Sequence, residues 1–182
     1  MTDIYKIIKL NLYESEISYL HKEVIIIKSK TVKQSEINLR YLMEPIHTNI
    51  AGNVHGGEIM KLMDNAAGIA AVRHSGRNVV TARVDKLEFH YPIHIGNLVT
   101  FNARLSFVGN SSMEVMVKVL VEDLKSEGPP KVAVTGLFTM IALDENGKPA
   151  AVPPLEVTTD EEKKLFEEGR ERYLNNKKKQ TL

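Results

Sequence analysis

Residues 51–64 read AGNVHGGEIMKLMD, and this stretch decides the fold. The pair Gly56-Gly57 opens a helical run, Asn53 lies just before it, and Asp64 lies two turns inside it. The first N–H groups of a helix have no partner within the helix, and the helix dipole adds partial positive charge there. The start of this helix is therefore suited to stabilise an oxygen that gains negative charge.

The acid in this helix has mostly apolar neighbours in the sequence. They are Met60, Leu62, Met63, Ala66 and Ala67. A carboxylate among apolar side chains costs free energy unless it is partnered or used. Two interpretations of Asp64 follow: a structural acid paired with a neighbour, and the favoured one, the acid of a hydrolytic site for a thioester.

Composition narrows the class of protein. The chain has 182 residues, of which 43% are hydrophobic and 26% charged, and a formal net charge of +1. This length and apolar content are enough for one domain with a sizeable core. It has no cysteine, which excludes disulfides, thiolate zinc sites and cysteine nucleophiles. Near-neutral charge argues against a nucleic-acid binder. No stretch reaches the roughly 18 apolar residues of a membrane span, and acids interrupt the first thirty residues, so we expect a cytoplasmic protein.

The pattern along the chain predicts one strand, one long helix and then four strands. The strand-like ranges are 31–43, 78–90, 98–108, 112–122 and 131–143. The predicted helix covers residues 57–74, and its second half is rich in alanine and glycine, which favours close packing against a sheet. Thr159 and Glu162 form a capping box before a C-terminal helix. This order predicts an α+β fold, with an antiparallel sheet around a central helix, plus the C-terminal helix.

The sequence divides into three parts by this interpretation. Residues 1–30 are an N-terminal extension whose structure the sequence does not decide. Residues 31–155 form the domain, and residues 156–182 form the C-terminal helix and a basic tail.

Several motifs carry a resemblance to a known family. They are residues 51–57, Lys61-Leu62-Met63-Asp64, Val80-Thr81 with Val84-Asp85, and residues 111–115. On these motifs the chain resembles the acyl-CoA hydrolase branch of the hot-dog-fold thioesterases, over about residues 31–176. The resemblance implies a hot-dog fold and hydrolysis of medium- to long-chain fatty acyl-CoA to free fatty acid and coenzyme A. It implies no metal and no cofactor, since coenzyme A is part of the substrate.

The same resemblance implies an oligomer. In two-repeat members of this family, one repeat supplies the functional Asn and the other the functional Asp. This chain carries both, as Asn53 and Asp64, so a homodimer would hold two complete sites. The family also implies assembly of such dimers into a trimer of dimers, that is, a hexamer.

Geometry gives a separate reason for a dimer. Asp64 lies seven residues beyond Gly57, which is about two turns and roughly 10 Å along the helix axis. A carbonyl held at the helix start is too far from the acid of the same helix. An antiparallel second subunit would bring its own Asp64 towards that carbonyl.

Each residue of the predicted site has a role. The thioester oxygen accepts the backbone N–H of Gly57, with Gly56 as an optional second donor. Asp64 of the partner activates water as a general base, and direct attack to give an anhydride is the less favoured variant. Asn53 positions the water or the carbonyl, although it could also be a loop residue or a helix cap.

Nine further residues are expected to contact the substrate. They are His55, Met60, Val80, Thr81, Arg77, Arg83, Arg104, Ser111 and Ser112. We expect His55 to pack and form hydrogen bonds in the loop rather than to act as a catalytic imidazole. The three arginines and two serines are candidates for the phosphates of coenzyme A, which need cations and hydrogen-bond donors.

Two other functions compete with hydrolysis. One is an acyl-CoA-binding sensor module without turnover, and the other is a hot-dog enoyl-CoA hydratase or dehydratase. The presence of both Asn53 and Asp64 favours the hydrolase, because a binding module needs no acid at this position.

Overall fold

The computed structural model of the protein describes residues 5–7 and 26–179. Its strands are β1 (Tyr5–Ile7), β2 (Ile26–Lys28), β3 (Lys30–Thr31), β4 (Ile37–Leu42), β5 (Asn78–Phe89), β6 (Asn97–Val108), β7 (Ser112–Asp123), β8 (Lys131–Leu143) and β9 (Leu155–Glu156). Its α-helices are α1 (Val32–Ser35), α2 (Gly56–Ser75) and α3 (Asp160–Lys179), and Pro45–His47 form one 3₁₀ turn. Most of the predicted extension, residues 1–30, lies outside the described residues; within it, β1 pairs antiparallel with β2. None of the helices in the described ranges is long and apolar enough to cross a membrane.

Five strands form one antiparallel sheet in the order β4-β6-β7-β8-β5. Strand β6 agrees with the strand predicted over residues 98–108 and buries alternate residues: Val99, Phe101 and Ala103 are fully buried, while the residues between them are partly exposed. The edge strand β5 pairs only with β8 among the described strands, and its register shifts twice, once between Thr81 and Arg83 and again between Asp85 and Glu88. Lys86, within the second shift, has a positive φ of 49°.

Helix α2 packs across the inner face of this sheet, as the sequence predicts. Its small residues Ala66, Ala67, Ala70 and Ala71 are completely buried. A Cβ atom added to Gly136 of β8 would lie 3.0 Å from the methyl group of Met63, so helix and sheet approach closely there. The helix ends at Gly76, whose φ of 67° is left-handed and whose N–H donates to the carbonyl of Val72 over 2.8 Å.

The prediction of one strand over residues 31–43 is wrong in its first half. Thr31 accepts the N–H of Gln34, and the Gln34 side chain accepts the N–H of Thr31, so a capping box starts the one-turn helix α1. Val32 and Ser35 of this turn are buried, which ties it to the core. Before it, β3 pairs in parallel with β9, and the sheet strand β4 begins only at Ile37.

Helix α3 packs on the other face of the sheet, where Phe107 contacts the rings of Phe166 and Tyr173 at centroid distances of 5.1 and 5.3 Å. Its predicted capping box is present, since Thr159 accepts the N–H of Glu162 and Glu162 accepts the N–H of Thr159.

An ion pair holds α3 against β7. Arg172 donates two hydrogen bonds to the carboxylate of Glu114, at 2.9 and 2.7 Å, and Ser106 donates a third at 2.6 Å. Both charged side chains are largely buried. This pair raises the pKa of Arg172, first through the hydrogen bonds to Glu114. Breaking one partner of such a pair is costly, because the other charge stays desolvated.

A buried histidine joins the end of α2 to two other segments. His74 Nε2–H donates to the carbonyl of Pro153 over 2.9 Å, so its Nδ1 accepts the hydroxyl of Ser35 over 2.8 Å. Lys30 donates to the carbonyls of Arg73 and His74, both at 2.8 Å, at the negative end of the helix dipole. Burial lowers the pKa of His74 to about 4.

Stability should therefore fall on mild acidification. The folded-state pKa of His74 is about 4 and its ordinary value is 6.5, so the unfolded chain binds the proton more strongly. His74 makes its full contribution to the free energy of unfolding above pH 6.5. About 3 kcal/mol of that contribution is lost as pH falls towards 4. Urea unfolding at pH 7 and pH 5 measures this loss. The variant His74→Gln should lose less stability than wild type between these pH values; an equal loss would contradict the assignment.

The close contact of α3 with the sheet predicts the effect of a small substitution. A Cβ atom at Gly169 would lie 2.5 Å from the Cβ of Phe107. Gly169→Ala should destabilise the protein by about 1–3 kcal/mol, although alanine is favoured over glycine in an isolated helix by about 1 kcal/mol. Denaturant unfolding tests this, with Gly128→Ala as control because no atom lies within 4 Å of a Cβ there. A stabilised Gly169→Ala variant would show that this packing is wrong.

Candidate functional site

The loop before α2 is closed by one asparagine. Thr48 and Val54 form an antiparallel bridge, and the N–H of Asn49 donates to the carbonyl of Asn53 over 2.8 Å. The Oδ1 atom of Asn49 accepts the N–H groups of Ala51 at 2.9 Å and Asn53 at 3.3 Å. With its oxygen fixed in this way, the Asn49 amide nitrogen has no partner among the described residues. The side chain of Asn53 likewise bonds to none of them.

The first turn of α2 is capped by His55 and not by Asn53. The N–H of Gly57 donates to His55 Nδ1 over 2.8 Å. A Cβ at Gly57 would lie 2.9 Å from that same nitrogen, so only glycine leaves room for the ring. The expected donor to a substrate oxygen is therefore occupied by a side chain. The N–H of Gly56 has no partner within the described part of the chain.

A shallow cavity of about 260 Å³ lies beside this helix start. It is lined by Ile46, His47, Thr48, His55, Gly57 and Glu58. Glu58 forms an ion pair with Lys61 at 2.5 Å, and that hydrogen bond is the main cause that lowers the pKa of Glu58. The pair leaves the cavity close to electrically neutral.

Asp64 lies where α2 meets the edge strand β5. The hydroxyl of Thr81 donates to Asp64 Oδ1 over 2.6 Å. Asp64 is half-buried and Met60 is exposed, so the fully apolar environment expected from the neighbouring residues is not found in the single chain. The reason is position: this side of α2 faces outward past the edge of the sheet, whereas the alanines face inward.

Exposed apolar residues lie on α2 and β5, the two elements that carry Asp64 and Thr81. We call them the α2–β5 surface; they are Met60, Ile69 and Val72 of α2 and Val84 of β5. Of the predicted substrate contacts, Met60 lies one turn before Asp64 on α2. Val80 pairs with Ile141 while Thr81 pairs with the buried Met140, so the side chain of Val80 points to the opposite face of the sheet from Thr81.

Three of the five residues predicted for the phosphates come together, and two do not. Arg83, Ser111 and Ser112 line a cavity of about 300 Å³ between the sheet and α3, which we call the α3 cavity. Arg104 instead forms an ion pair with Glu161 at 2.5 Å, at the first turn of α3. Arg77 follows the end of α2 and does not line the cavity.

Comparison with known proteins agrees with this architecture. The sequence profile described as "Thioesterase superfamily" matches residues 51–127. The cytosolic acyl coenzyme A thioester hydrolase of Rattus norvegicus is 43% identical over 150 residues, which are 82% of this chain and 39% of the rat protein. The chain thus spans about two fifths of the length of this relative.

Solved structures match along nearly their whole length. A hexameric acyl-CoA thioesterase, determined in its apo form, is 34% identical with a TM-score of 0.79, over 85% of this chain and 98% of that one. The acyl-CoA hydrolase of Staphylococcus aureus, solved with butyryl coenzyme A and coenzyme A, is 31% identical with a TM-score of 0.77. The match covers 84% of this chain and 93% of that one.

Three variants of the Staphylococcus aureus hydrolase have also been solved. They replace an Asp, an Asn and a Thr by alanine, and the Asn variant contains coenzyme A. In that protein the Asp lies fifteen residues after the Asn and seventeen residues before the Thr.

The central helix across a five-stranded antiparallel sheet is the hot-dog fold, and these two solved structures, both above 30% identity, are covered almost completely. The chain therefore belongs to the thioesterase superfamily.

Proposed function

We propose that this chain hydrolyses medium- to long-chain fatty acyl-CoA to free fatty acid and coenzyme A. The observation that carries the proposal is the half-buried carboxylate of Asp64, which accepts the hydroxyl of Thr81 at 2.6 Å and lies on the same helix as the exposed apolar residues Met60, Ile69 and Val72. We also propose a cytosolic location, because the rat relative is named as cytosolic.

Spacing supports a revised choice of asparagine. In this chain, Asn49 lies fifteen residues before Asp64 and Thr81 lies seventeen residues after it. These are the intervals between the three residues replaced in the Staphylococcus aureus hydrolase. Asn49 is therefore a stronger candidate than Asn53 for the amide that binds the thioester. Residue type and nearness to the helix start favour Asn53, whereas the interval to Asp64 is the signal in the sequence that favours Asn49.

We place the complete site between two protomers. The α2–β5 surface is apolar, and the outer edge of β5 has no partner strand among the described residues, so a second copy could cover both. An antiparallel partner helix would bring its Asp64 towards the start of α2. Further assembly into a trimer of dimers is part of the proposal, and the hexameric relative supports it.

In the proposed reaction, Asp64 removes a proton from water, and the water oxygen attacks the thioester carbonyl carbon. Oδ1 is held by Thr81, which leaves Oδ2 to act as the general base. The oxygen that becomes negative accepts the N–H of Gly56 and the amide of Asn49. The N–H of Gly57 joins them if the ring of His55 turns away.

The intermediate then collapses with cleavage of the C–S bond. Coenzyme A leaves as a thiolate, and the proton held by Asp64 returns to the products. Because this thiolate is a good leaving group, the step needs neither a metal nor a cofactor.

The phosphates of coenzyme A are proposed to bind in the α3 cavity. Arg83 supplies a guanidinium there, although it is shared with Asp85 at 2.6 Å. The hydroxyls of Ser111 and Ser112 bond to no other described side chain or backbone group, so both can donate to phosphate. Arg104 and Arg77 are left out of this proposal because of their positions.

Replacing the acid should abolish most of the activity. Asp64→Asn keeps the shape and the bond to Thr81 but cannot accept a proton, so kcat on palmitoyl-CoA should fall by about 10²–10⁴-fold. Thr81→Ala should lower kcat less, and Thr81→Ser should restore it. Release of thiol from palmitoyl-CoA measures these rates, with the exposed Asp123→Asn as control.

The same assay separates the competing functions. Wild type that binds palmitoyl-CoA tightly but releases no thiol would be a sensor. Wild type that hydrates an enoyl-CoA without hydrolysis would be a hydratase. Full activity of Asp64→Asn would remove the acid from the mechanism.

Asn49→Asp should lower kcat by about 10²-fold, because it keeps the oxygen that closes the loop but loses the donating amide. Its melting temperature should stay near that of wild type, and Asn53→Ala should affect kcat much less. A larger loss for Asn53→Ala would return the role to Asn53.

These variants also test the shared site. Dimers that combine one Asn49→Asp protomer with one Asp64→Asn protomer hold one intact site. A co-refolded equimolar mixture should therefore recover about a quarter of the wild-type rate. No recovery in a mixture shown to contain mixed dimers would mean that each protomer carries its own site.

A further inference from the structure

We propose that Phe89, the last residue of β5, contacts the methylene groups beside the thioester of the substrate and so holds the carbonyl at the start of α2. The assignment rests on the proposed function, because it concerns the substrate of that same site. The ring recognises the part of the substrate that every fatty acyl-CoA shares, whatever the length of its chain.

The ring of Phe89 lies against the first residue of α2. A Cβ atom added to Gly56 would lie 3.4 Å from Cζ and 3.6 Å from Cε1 of this ring. The N–H of Gly56 is the donor proposed for the thioester oxygen, and an oxygen bound to that N–H lies within roughly 9 Å of Cζ. The ring is therefore close enough to contact the first atoms on either side of the carbonyl carbon.

The outer side of this ring is open to a ligand. Phe89 is 53% exposed although it packs on Gly56. A thioester has a polar oxygen, which needs a donor, and apolar methylene groups on its sulfur and its carbonyl carbon, which gain free energy when they leave water. A backbone N–H beside an exposed ring offers a partner to each of these parts.

The second register shift of β5 turns the ring towards α2. Phe89 pairs with Val134 of β8, and a Cβ on Gly136, two residues further along β8, would meet Met63 of α2. Paired residues share a face of the sheet, as do residues two apart in a strand. The shift adds one residue to β5, and one residue reverses the face of every side chain that follows. Without the shift, Phe89 would point away from the helix.

Backbone hydrogen bonds just beyond β5 fix the ring in this position. The N–H groups of His90 and Tyr91 both donate to the carbonyl of Ala133, at 2.7 and 3.2 Å. The ring of His90 also forms a hydrogen bond with the hydroxyl of Thr135 at 3.1 Å. A side chain on a fixed backbone loses little conformational freedom when a ligand covers it, so more of the contact energy is available for binding.

The test compares two acyl chains of different length. Phe89→Ala should raise KM about tenfold for octanoyl-CoA and for palmitoyl-CoA alike, because the lost apolar contact lies next to the thioester in both. Phe89→Leu should restore most of the affinity, since it returns apolar volume. The kcat of both variants should stay near that of wild type, because the ring contacts the substrate equally before and during the reaction. Release of thiol measures both parameters.

Tyr91→Ala is the matched control. Tyr91 lies two residues beyond Phe89 and is 51% exposed, but its ring lies 5.2 Å from Nζ of Lys131. Its removal should leave KM for both substrates at the wild-type value. Size-exclusion chromatography of each variant should show the oligomer that wild type forms.

Each failure has a separate signature. Unchanged KM in Phe89→Ala, a rise for palmitoyl-CoA alone, or an equal rise in Tyr91→Ala would overturn the inference while the proposed function stands. Loss of the oligomer in Phe89→Ala would also overturn it, because the ring would then pack on a second copy of the chain.

A binding measurement separates this inference from the proposed function. If wild type hydrolyses neither ester, calorimetry with a non-hydrolysable ketone analogue of palmitoyl-CoA decides. Weaker binding by Phe89→Ala but not by Tyr91→Ala would support the contact without hydrolysis, and equal binding by both would refute it.

Discussion

The close approach of α2 to the sheet is the constraint on which the rest of this structure depends. Four completely buried alanines and the missing side chain of Gly136 let the helix axis lie near the strands. At that separation Asp64 comes within hydrogen-bond distance of Thr81 on β5. Larger side chains on the inner side of α2 would move the helix outward and separate these two residues. Packing on one side of the helix therefore sets the position of the carboxylate on the other side.

The opposite face of the sheet shows how a second helix can be tied to the same framework. Here charge and aromatic contacts replace small residues: Arg172 bonds Glu114, and Phe107 packs between Phe166 and Tyr173. A single glycine, Gly169, permits the close contact. Because the α3 cavity lies between this helix and the sheet, its shape depends on the docking of α3 as much as on the strands.

The sequence was most informative where a local pattern of apolar or small residues determines which face of an element is buried. Alternation in β6 and the alanine-rich run in α2 each require one buried face, so both elements could be predicted. The turn α1 could not, because its capping box is short and its burial depends on distant residues. The ion pair of Arg104 with Glu161 could not be predicted for a similar reason, because the two residues meet only after folding. The hydrogen bonds of Asn49 and His55 form within a loop, and residue type alone does not reveal them.

The irregular edge strand has a consequence for the behaviour of the protein at high concentration. Strand β5 is 12 residues long, lies at the edge of the sheet and exposes Val80, Val84 and Phe89, which would otherwise make it a template for open-ended strand addition. Its two register shifts and the left-handed backbone at Lys86 bend that template, so only short lengths can align with another chain. The irregularity thus protects this edge against open-ended strand addition and self-aggregation.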